Sequence, residues 1–183
     1  MDLYIRFHVH RFILEKDITM VHIKTTLELP IAHCLDGAYS GLCVGNVSRD
    51  GETKFDLSTG LIPVLHGHNY FVTVDLAVDD DDLDSDGMVM DFKMMKKLLH
   101  EHFDMYDHSM ILTPSNPLTW IYKKNYEDRG INLSNTRIFI WPKNPTAEFM
   151  AMRWRTELAF KFPKCKVTVT VEETSHNSVT CGE

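Results

Sequence analysis

The sequence feature that most restricts the fold is an alternation of apolar residues that follows two closely spaced histidines. Every second residue from position 70 onward is apolar or aromatic, in the series Tyr70, Val72, Val74, Leu76 and Val78. This period of two is typical of a half-buried β-strand, in which alternate side chains share one face. His66 and His68 have the same parity, so we expect both imidazoles on one face, with Gly67 leaving the other face bare between them.

Other segments also have the composition of β-strands. They are residues near 19–33, residues 137–141 ("RIFIW") and residues 165–172 ("CKVTVTVE"), the last of which alternates valine with threonine. We expect the segment near 19–33 to pair with residues 66–78 as antiparallel neighbours.

Two helices are predicted from capping residues that precede apolar residues at helical spacing. The first covers about 92 to 104, with Asp91 as its N-cap. The second begins near Pro145, with Asn144 as its N-cap and proline at the first helical position. Residues 105–136 contain prolines, glycine and several asparagines, and we expect them to be irregular. This order of elements predicts an α+β domain with its helices on one face of the sheet.

The composition limits the class of protein. A chain of 183 residues is expected to form a single domain, residues 1–183, that needs no disulfides for its stability. The net charge of −7 argues against a nucleic-acid partner, and no apolar run is long enough to predict a membrane span. The four cysteines show neither paired metal spacing nor a dense disulfide pattern, which favours a reducing, cytoplasmic location.

The paired histidines raise the question of a metal site. Catalytic zinc commonly takes three neutral histidines and keeps a fourth position open. The best candidate for a third ligand is His33 in "LPIAHCL", because a cross-strand neighbour at the end of the preceding strand could come within reach. Alternatively, His66 and His68 are surface residues beside a turn. A second pair, His8 and His10, has no third partner that we can place, and we interpret it as structural.

Six segments, taken in order, resemble the family of 6-pyruvoyltetrahydropterin synthase and 6-carboxytetrahydropterin synthase. They are "AHCL" at 32–35, "HGHNY" at 66–70, "GMVMDFKMMKKLL" at 87–99, "DHSMIL" at 107–112, "NPTAEFMA" at 144–151 and "VTVTVEET" at 167–174. The resemblance implies the tunnelling fold, an antiparallel four-stranded sheet with two helices on one face. In that family subunits join edge to edge into a trimeric barrel, and two trimers stack into a hexamer with sites between subunits, so we expect a homo-oligomer.

The resemblance also implies a role for each candidate site residue. It makes His33, His66 and His68 the ligands of Zn²⁺, Asp107 and His108 the catalytic pair, and Glu173, Thr146 and Glu148 the substrate-binding residues. A carboxylate suits a pterin ring because it accepts two parallel hydrogen bonds from neighbouring N–H groups. The alternatives are that "DH" is only a turn after a helix, and that Thr146 and Glu148 reflect ordinary preferences at a helix N-terminus.

The activity that the resemblance implies is a zinc-dependent lyase acting on 7,8-dihydroneopterin triphosphate. The product that we favour is 6-carboxy-5,6,7,8-tetrahydropterin, made for 7-deazaguanine and queuosine synthesis, and the second choice is the 6-pyruvoyl product. Two alternatives stay open, namely a catalytically altered homologue that binds a pterin without turnover, and an unrelated zinc hydrolase that uses the same histidines.

The sequence departs from the family's pattern at the catalytic cysteine, which normally lies a few residues before the "HGH" segment. The nearest candidate is Cys43 in "SGLCVGN", and residues 44–65 separate it from His66. An inserted hairpin near 44–62, with "RDGE" as its turn, would let Cys43 keep the catalytic position. Alternatively, Cys43 is an inert loop thiol. A second insertion, near 113–136, is assigned no function.

Overall fold

The structure is a computed structural model that describes residues 19–35, 65–132 and 136–182. Its strands are β1 (Met20–His33), β2 (His66–Asp79), β3 (Ser109–Leu112), β4 (Ile138–Ile140), β5 (Lys166–Thr174) and β6 (Asn177–Cys181). Its helices are α1 (Phe92–Phe103), α2 (Pro117–Glu127) and α3 (Ala147–Lys161), and a short 3₁₀ helix covers Asp80–Asp82. All six of these strands form one sheet, in the order β4-β3-β1-β2-β5-β6.

The centre of the sheet is the antiparallel pair of β1 and β2. The two strands are in register over their whole length, from Met20 opposite Asp79 to His33 opposite His66. The alternation in the sequence sets this register, because a shift by one residue would move the apolar residues of a strand to the opposite face. Both long strands predicted from the sequence are therefore confirmed, and His33 is the direct cross-strand partner of His66.

The expectation of a four-stranded antiparallel sheet is wrong, because the sheet is six-stranded and mixed. β3 pairs in parallel with β1, with Ser109 beside Ile31, and β4 pairs in parallel with β3. β6 adds an antiparallel strand to β5, whose own pairing with β2 is antiparallel. The strands that were missed are β3 and β6, and their four and five residues place too few side chains on a face for a period of two to be recognised.

The described residues form three α-helices where two were expected. α1 begins as predicted, because the Asp91 side chain accepts a hydrogen bond from the Met94 N–H. α2 lies in the segment that was expected to be irregular, with Asn116 as its N-cap and Pro117 in its first turn. It escaped recognition because it buries little of its surface, and its Trp120 side chain is 64% exposed. The prolines and the glycine around it also favoured a loop in the sequence-based interpretation.

The start of α3 also differs from the expectation. Its N-cap is Thr146 and not Asn144, since the Thr146 hydroxyl accepts from the Phe149 N–H and the helix begins at Ala147. Pro145 therefore precedes the helix and does not occupy its first turn. This shift frees the carbonyl of Pro145 from the helical hydrogen-bond pattern and makes it available to a side chain from the sheet.

The hydrophobic core lies between one face of the sheet and the helices α1 and α3. The helical contribution consists of Met95, Leu99 and Phe103 from α1 and Met150, Trp154 and Leu158 from α3, all buried. Burying each such side chain contributes roughly 1.5–3 kcal/mol, which is enough to fix both helices on this face. At one end of the same face, the apolar positions of β1 and β2 give way to histidines. No helix within the described ranges combines the length and apolar character needed to cross a membrane.

Candidate metal centre

Three histidines converge at the end of the β1–β2 pair. The ring centroids of His33 and His66 are 4.5 Å apart, and those of His33 and His68 are 5.4 Å apart. The centroids of His66 and His68 are separated by 5.2 Å. One ring nitrogen from each residue lies within 4.8 Å of the corresponding nitrogens of the other two. The three histidines that the sequence singled out are therefore brought together, and they could hold a metal ion.

The orientation of His33 is fixed by a backbone carbonyl. Its Nδ1 atom lies 2.9 Å from the carbonyl oxygen of Pro145, which can only accept, so Nδ1 carries the proton and donates it. The Nε2 atom of the neutral ring therefore has the lone pair that a metal needs. Histidine ligands of metals commonly donate their other N–H to a carbonyl in this way.

The burial of His33 keeps its ring neutral. The side chain is 1% exposed, and burial lowers its pKa from 6.5 to about 4, against the opposing effect of the hydrogen bond to Pro145. The neighbouring His66 lowers the pKa further, and the Glu173 carboxylate raises it. A neutral ring at neutral pH is the form that binds a metal, so no proton has to be removed from His33 before an ion can be bound.

Glu173, near the end of β5, faces the three histidines. Its Oε1 atom lies 3.6 Å from Nε2 of His33 and 3.6 Å from Nε2 of His68. The Tyr70 hydroxyl donates a hydrogen bond to the same oxygen over 3.0 Å, and it lies 3.2 Å from Nε2 of His33. Tyr70 is completely buried, and burial together with the Glu173 charge raises its pKa far above the usual range. The phenol is therefore protonated and acts as the donor.

Sequence reasoning missed Tyr70 as a member of this site. Its position in the alternating run identified it as a core residue, which is correct for the ring. The available signal was its polar tip, because a buried tyrosine hydroxyl usually needs a hydrogen-bond partner.

A cavity of about 540 Å³ opens beside the histidines. It is lined by His33, Glu173, Thr146 and Glu148, and by a polar group from the β5–β6 turn and the start of β6 that consists of His176, Asn177 and Ser178. Thr146 and Glu148 thus line the same cavity as Glu173. The β5–β6 residues were not anticipated, because the strand β6 was not recognised.

Asp107 and His108 form the predicted pair, but at a different cavity. Nδ1 of His108 lies 3.0 Å from Oδ2 of Asp107, and the His108 side chain is 75% exposed. The parallel register sets Ile111 beside His33, and the pair precedes Ile111 by four and three residues, in the turn before β3. Asp107 lines a separate cavity of about 320 Å³ with residues 26–29 of β1.

The backbone of His108 is also unusual. Its φ angle is 52°, in the left-handed region that residues other than glycine rarely adopt. A turn in this conformation directs the chain from α1 into β3 and leaves the imidazole in solvent. The other candidate catalytic residue, Cys43, lies outside the described residues, as do His8, His10 and the insertion near 44–62.

Comparison with known proteins agrees with this geometry. The sequence model of the 6-pyruvoyl tetrahydropterin synthase family matches residues 22–183. A 6-carboxy-5,6,7,8-tetrahydropterin synthase of Rickettsia conorii is 32% identical over 127 residues, which cover 69% of this chain and 83% of the relative.

Solved structures resemble the chain over most of its length. A crystal structure of an uncharacterized protein from Wolinella succinogenes superposes with a TM-score of 0.60 at 17% identity, covering 90% of this chain and 99% of that one. The crystal structure of 6-pyruvoyl tetrahydropterin synthase from Plasmodium vivax superposes with a TM-score of 0.56 at 18% identity, covering 90% and 98%. At these low identities the structural likeness shows a shared fold.

Proposed function

Because the chain belongs to the 6-pyruvoyl tetrahydropterin synthase family, we propose that it is a zinc-dependent lyase acting on 7,8-dihydroneopterin triphosphate. The product that we propose is 6-carboxy-5,6,7,8-tetrahydropterin, for the 7-deazaguanine and queuosine pathway, since the Rickettsia relative bears the name of the enzyme that forms it. The observation that carries the proposal is the convergence of His33, His66 and His68 on one point that Glu173 also faces.

The donor set fits a zinc ion. Imidazole nitrogens suit zinc, and the Nδ1–H of His33 is already committed to the Pro145 carbonyl, which leaves Nε2 for the ion. When bound by His33, His66 and His68, Zn²⁺ would supply Lewis-acid polarisation of side-chain oxygens of the substrate. The protein's own contribution is to keep the His33 ring neutral and correctly oriented before the ion arrives.

The cavity beside the histidines is the proposed pterin pocket. Glu173 would accept two parallel hydrogen bonds from the amino group and the adjacent N–H of the ring, a pairing that fixes both position and orientation. Thr146 and Glu148 line the same cavity, which supports a role for them in holding the ring. The size of the cavity, about 540 Å³, lies within the usual range for small-molecule pockets.

We propose that Asp107 and His108 act in the site of a neighbouring copy of the chain. The pair is exposed, and it lies at a different cavity from the histidines of its own chain. Within the described ranges, β1 pairs with β3 only from Ile31 to His33, so the preceding part of that edge has no strand beside it. An open edge can accept a strand of another copy, which supports the trimeric barrel and the stacked hexamer that the family resemblance implies.

Cys43 is the residue that we propose as the remaining proton-transfer group. The segment 44–65 that separates it from His66 also favours a second candidate function, a pterin-binding homologue that has lost turnover. In that case Glu173 and the metal would be kept for binding alone. The two candidates differ in one measurable property, the release of triphosphate.

The experiment is to incubate the zinc-loaded protein with 7,8-dihydroneopterin triphosphate and to measure triphosphate release and product mass. The 6-carboxy product would support the first proposal, and a 6-pyruvoyl product would assign the chain to the other branch. Tight binding without triphosphate release would favour the binding homologue. Cys43→Ala is expected to slow turnover strongly, whereas the matched variant Cys181→Ala, in the edge strand β6, should not.

A further inference from the structure

The Glu173 carboxylate lies close to two of the histidine nitrogens as well as at the cavity. Its Oε1 atom is 3.6 Å from Nε2 of His33 and 3.6 Å from Nε2 of His68. Two ligands of one tetrahedral zinc ion, each bound at 2.0–2.1 Å, are separated by about 3.3 Å. The carboxylate oxygen therefore lies at nearly the distance from both nitrogens that a fellow ligand would have.

The hydrogen-bond inventory around this oxygen points to a cation. Nε2 of His33 is an acceptor because Nδ1 donates to Pro145, and a carboxylate oxygen is an acceptor as well. The Tyr70 hydroxyl lies within 3.2 Å of both acceptors but has one proton, which it donates to Glu173. A cation at this point would interact with both acceptors, whereas the Tyr70 proton is donated to only one of them.

Tyr70 also determines where the carboxylate is held. Its ring is completely buried on β2, so its hydroxyl is a fixed donor, while the Glu173 side chain is 30% exposed and borders the cavity. Metal ligands are commonly oriented in this way, by a rigid hydrogen-bond donor that contacts the ligand from the side away from the metal. The exposed side of Glu173 gives the carboxylate room to move toward the cavity.

We propose that Glu173 is a fourth, displaceable ligand of the metal, positioned by the Tyr70 hydroxyl. Before substrate binds, His33, His66, His68 and Glu173 would together hold the ion, and Glu173 is the ligand that an oxygen of the substrate would replace. The released carboxylate would then bind the pterin ring, and this step rests on the proposed function. Coordination of the metal by Glu173 does not depend on that function. Glu173 would in this way couple binding of the pterin ring to the release of one coordination position on the metal.

The test is a metal titration of the metal-free protein, without any pterin. Zinc affinity is measured by competition with a chromophoric chelator, and Co²⁺ is used as a probe whose visible absorption reports the number and type of ligands. The variants are Glu173→Gln, Tyr70→Phe and the matched control Glu172→Gln, which makes the same change in charge one residue away on β5.

We expect Glu173→Gln to weaken zinc binding at least about tenfold and to change the Co²⁺ absorption band, and Tyr70→Phe to weaken binding by a smaller factor. Glu172→Gln should bind both metals as the unmodified protein does. Equal affinities and identical Co²⁺ bands in Glu173→Gln and Glu172→Gln would overturn the proposal. If Glu173→Gln does not fold, Glu173→Asp replaces it, because the shorter side chain withdraws the oxygen while keeping the charge.

A second arm tests the displacement. Adding 7,8-dihydroneopterin, which has the ring and side-chain hydroxyls but no triphosphate, to the Co²⁺-loaded protein should change the absorption band. An unchanged band with bound pterin would contradict the exchange of ligands. The metal titration of the first arm contains no pterin, so its result would still stand if the protein proved not to be a lyase.

Discussion

Gly67 packs directly against the backbone of Ile31. A Cβ atom added at Gly67 would lie 3.1 Å from the carbonyl oxygen of Ile31, a backbone atom that cannot rotate away. Gly67 separates His66 and His68, so any shift of the backbone there also moves both rings.

We therefore expect Gly67→Ala to destabilise the protein by about 1–3 kcal/mol and to weaken metal binding. Unfolding in urea gives the first quantity, and zinc competition with a chelator gives the second. Gly87→Ala is a control for the loss of a glycine outside the site, since no atom lies within 4 Å of an added Cβ there. That control should bind zinc normally, although its φ of 77° makes it less stable. Normal zinc binding by Gly67→Ala would contradict the close packing.

The stability of the metal-free protein should depend on pH through His33. Its pKa is lowered to about 4 in the folded state, so the unfolded chain binds more protons between about pH 6.5 and 4. The free energy of unfolding is therefore highest above this window and decreases as the pH falls through it. The expected loss is about 2 kcal/mol between pH 7.5 and pH 5. Urea unfolding with chelator present measures it, and His33→Gln should show a weaker dependence than the unmodified chain.

Zinc should stabilise the folded protein because an ion that binds only the folded state shifts the unfolding equilibrium. At a free zinc concentration about 100 times the Kd, the expected gain is about 2.7 kcal/mol. His68→Ala should lose most of this gain. His22→Ala, which removes only an exposed histidine paired with Asp75, should keep it. Equal thermal shifts in the two variants would remove His68 from the metal site.

The proposal that Asp107 and His108 serve a neighbouring copy predicts complementation. His68→Ala and His108→Ala should each be inactive alone. Co-expressed in equal amounts, they should recover about a quarter of full activity, because that share of the sites combines an intact triad with an intact pair. Product formation by the mixed oligomer is the measurement. A double variant His68→Ala/His108→Ala, co-expressed with the His108→Ala chain, is the control and should stay inactive. Mixed oligomers without activity would indicate that each site uses its own chain.

The backbone of His108 predicts a difference between two substitutions that remove the same imidazole. The φ of 52° is strained for alanine and relaxed for glycine. His108→Gly should therefore be more stable than His108→Ala by about 1 kcal/mol. Urea unfolding of the two variants measures the difference, and both should have lost turnover. A more stable alanine variant would show that the turn adopts another conformation.

The two central strands and the start of α1 were predicted correctly because each belongs to a long periodic segment. β1 and β2 are 14 residues each, so their alternation fixed which residues share a face. Because the two strands are also antiparallel neighbours, the placement of His33 beside His66 followed from parity and pairing. Asp91 was recognised as an N-cap because an amphipathic helix follows it at once.

The features that were missed depend on tertiary contacts that no local pattern encodes. β3 has four residues, and its place in the sheet follows only from its parallel pairing with β1 and β4. The Pro145 carbonyl orients His33 from 112 positions away along the chain, a contact without any signature in sequence spacing. Likewise, the family resemblance implied that Glu173 belongs to the site but not that Tyr70 would hold its oxygen 3.6 Å from a nitrogen of His33 and of His68.

The hydrogen bond from His33 to the Pro145 carbonyl makes metal binding depend on complete folding. A contact between residues so far apart along the chain requires the closure of a long loop, which has an entropic cost. The His33 ring is held in its ligand orientation only once the turn before α3 has docked on the sheet. A nascent chain that still lacks α3 would thus bind zinc weakly, because nothing orients the His33 ring. Tight zinc binding would then be restricted to molecules in which α3 has packed on the sheet.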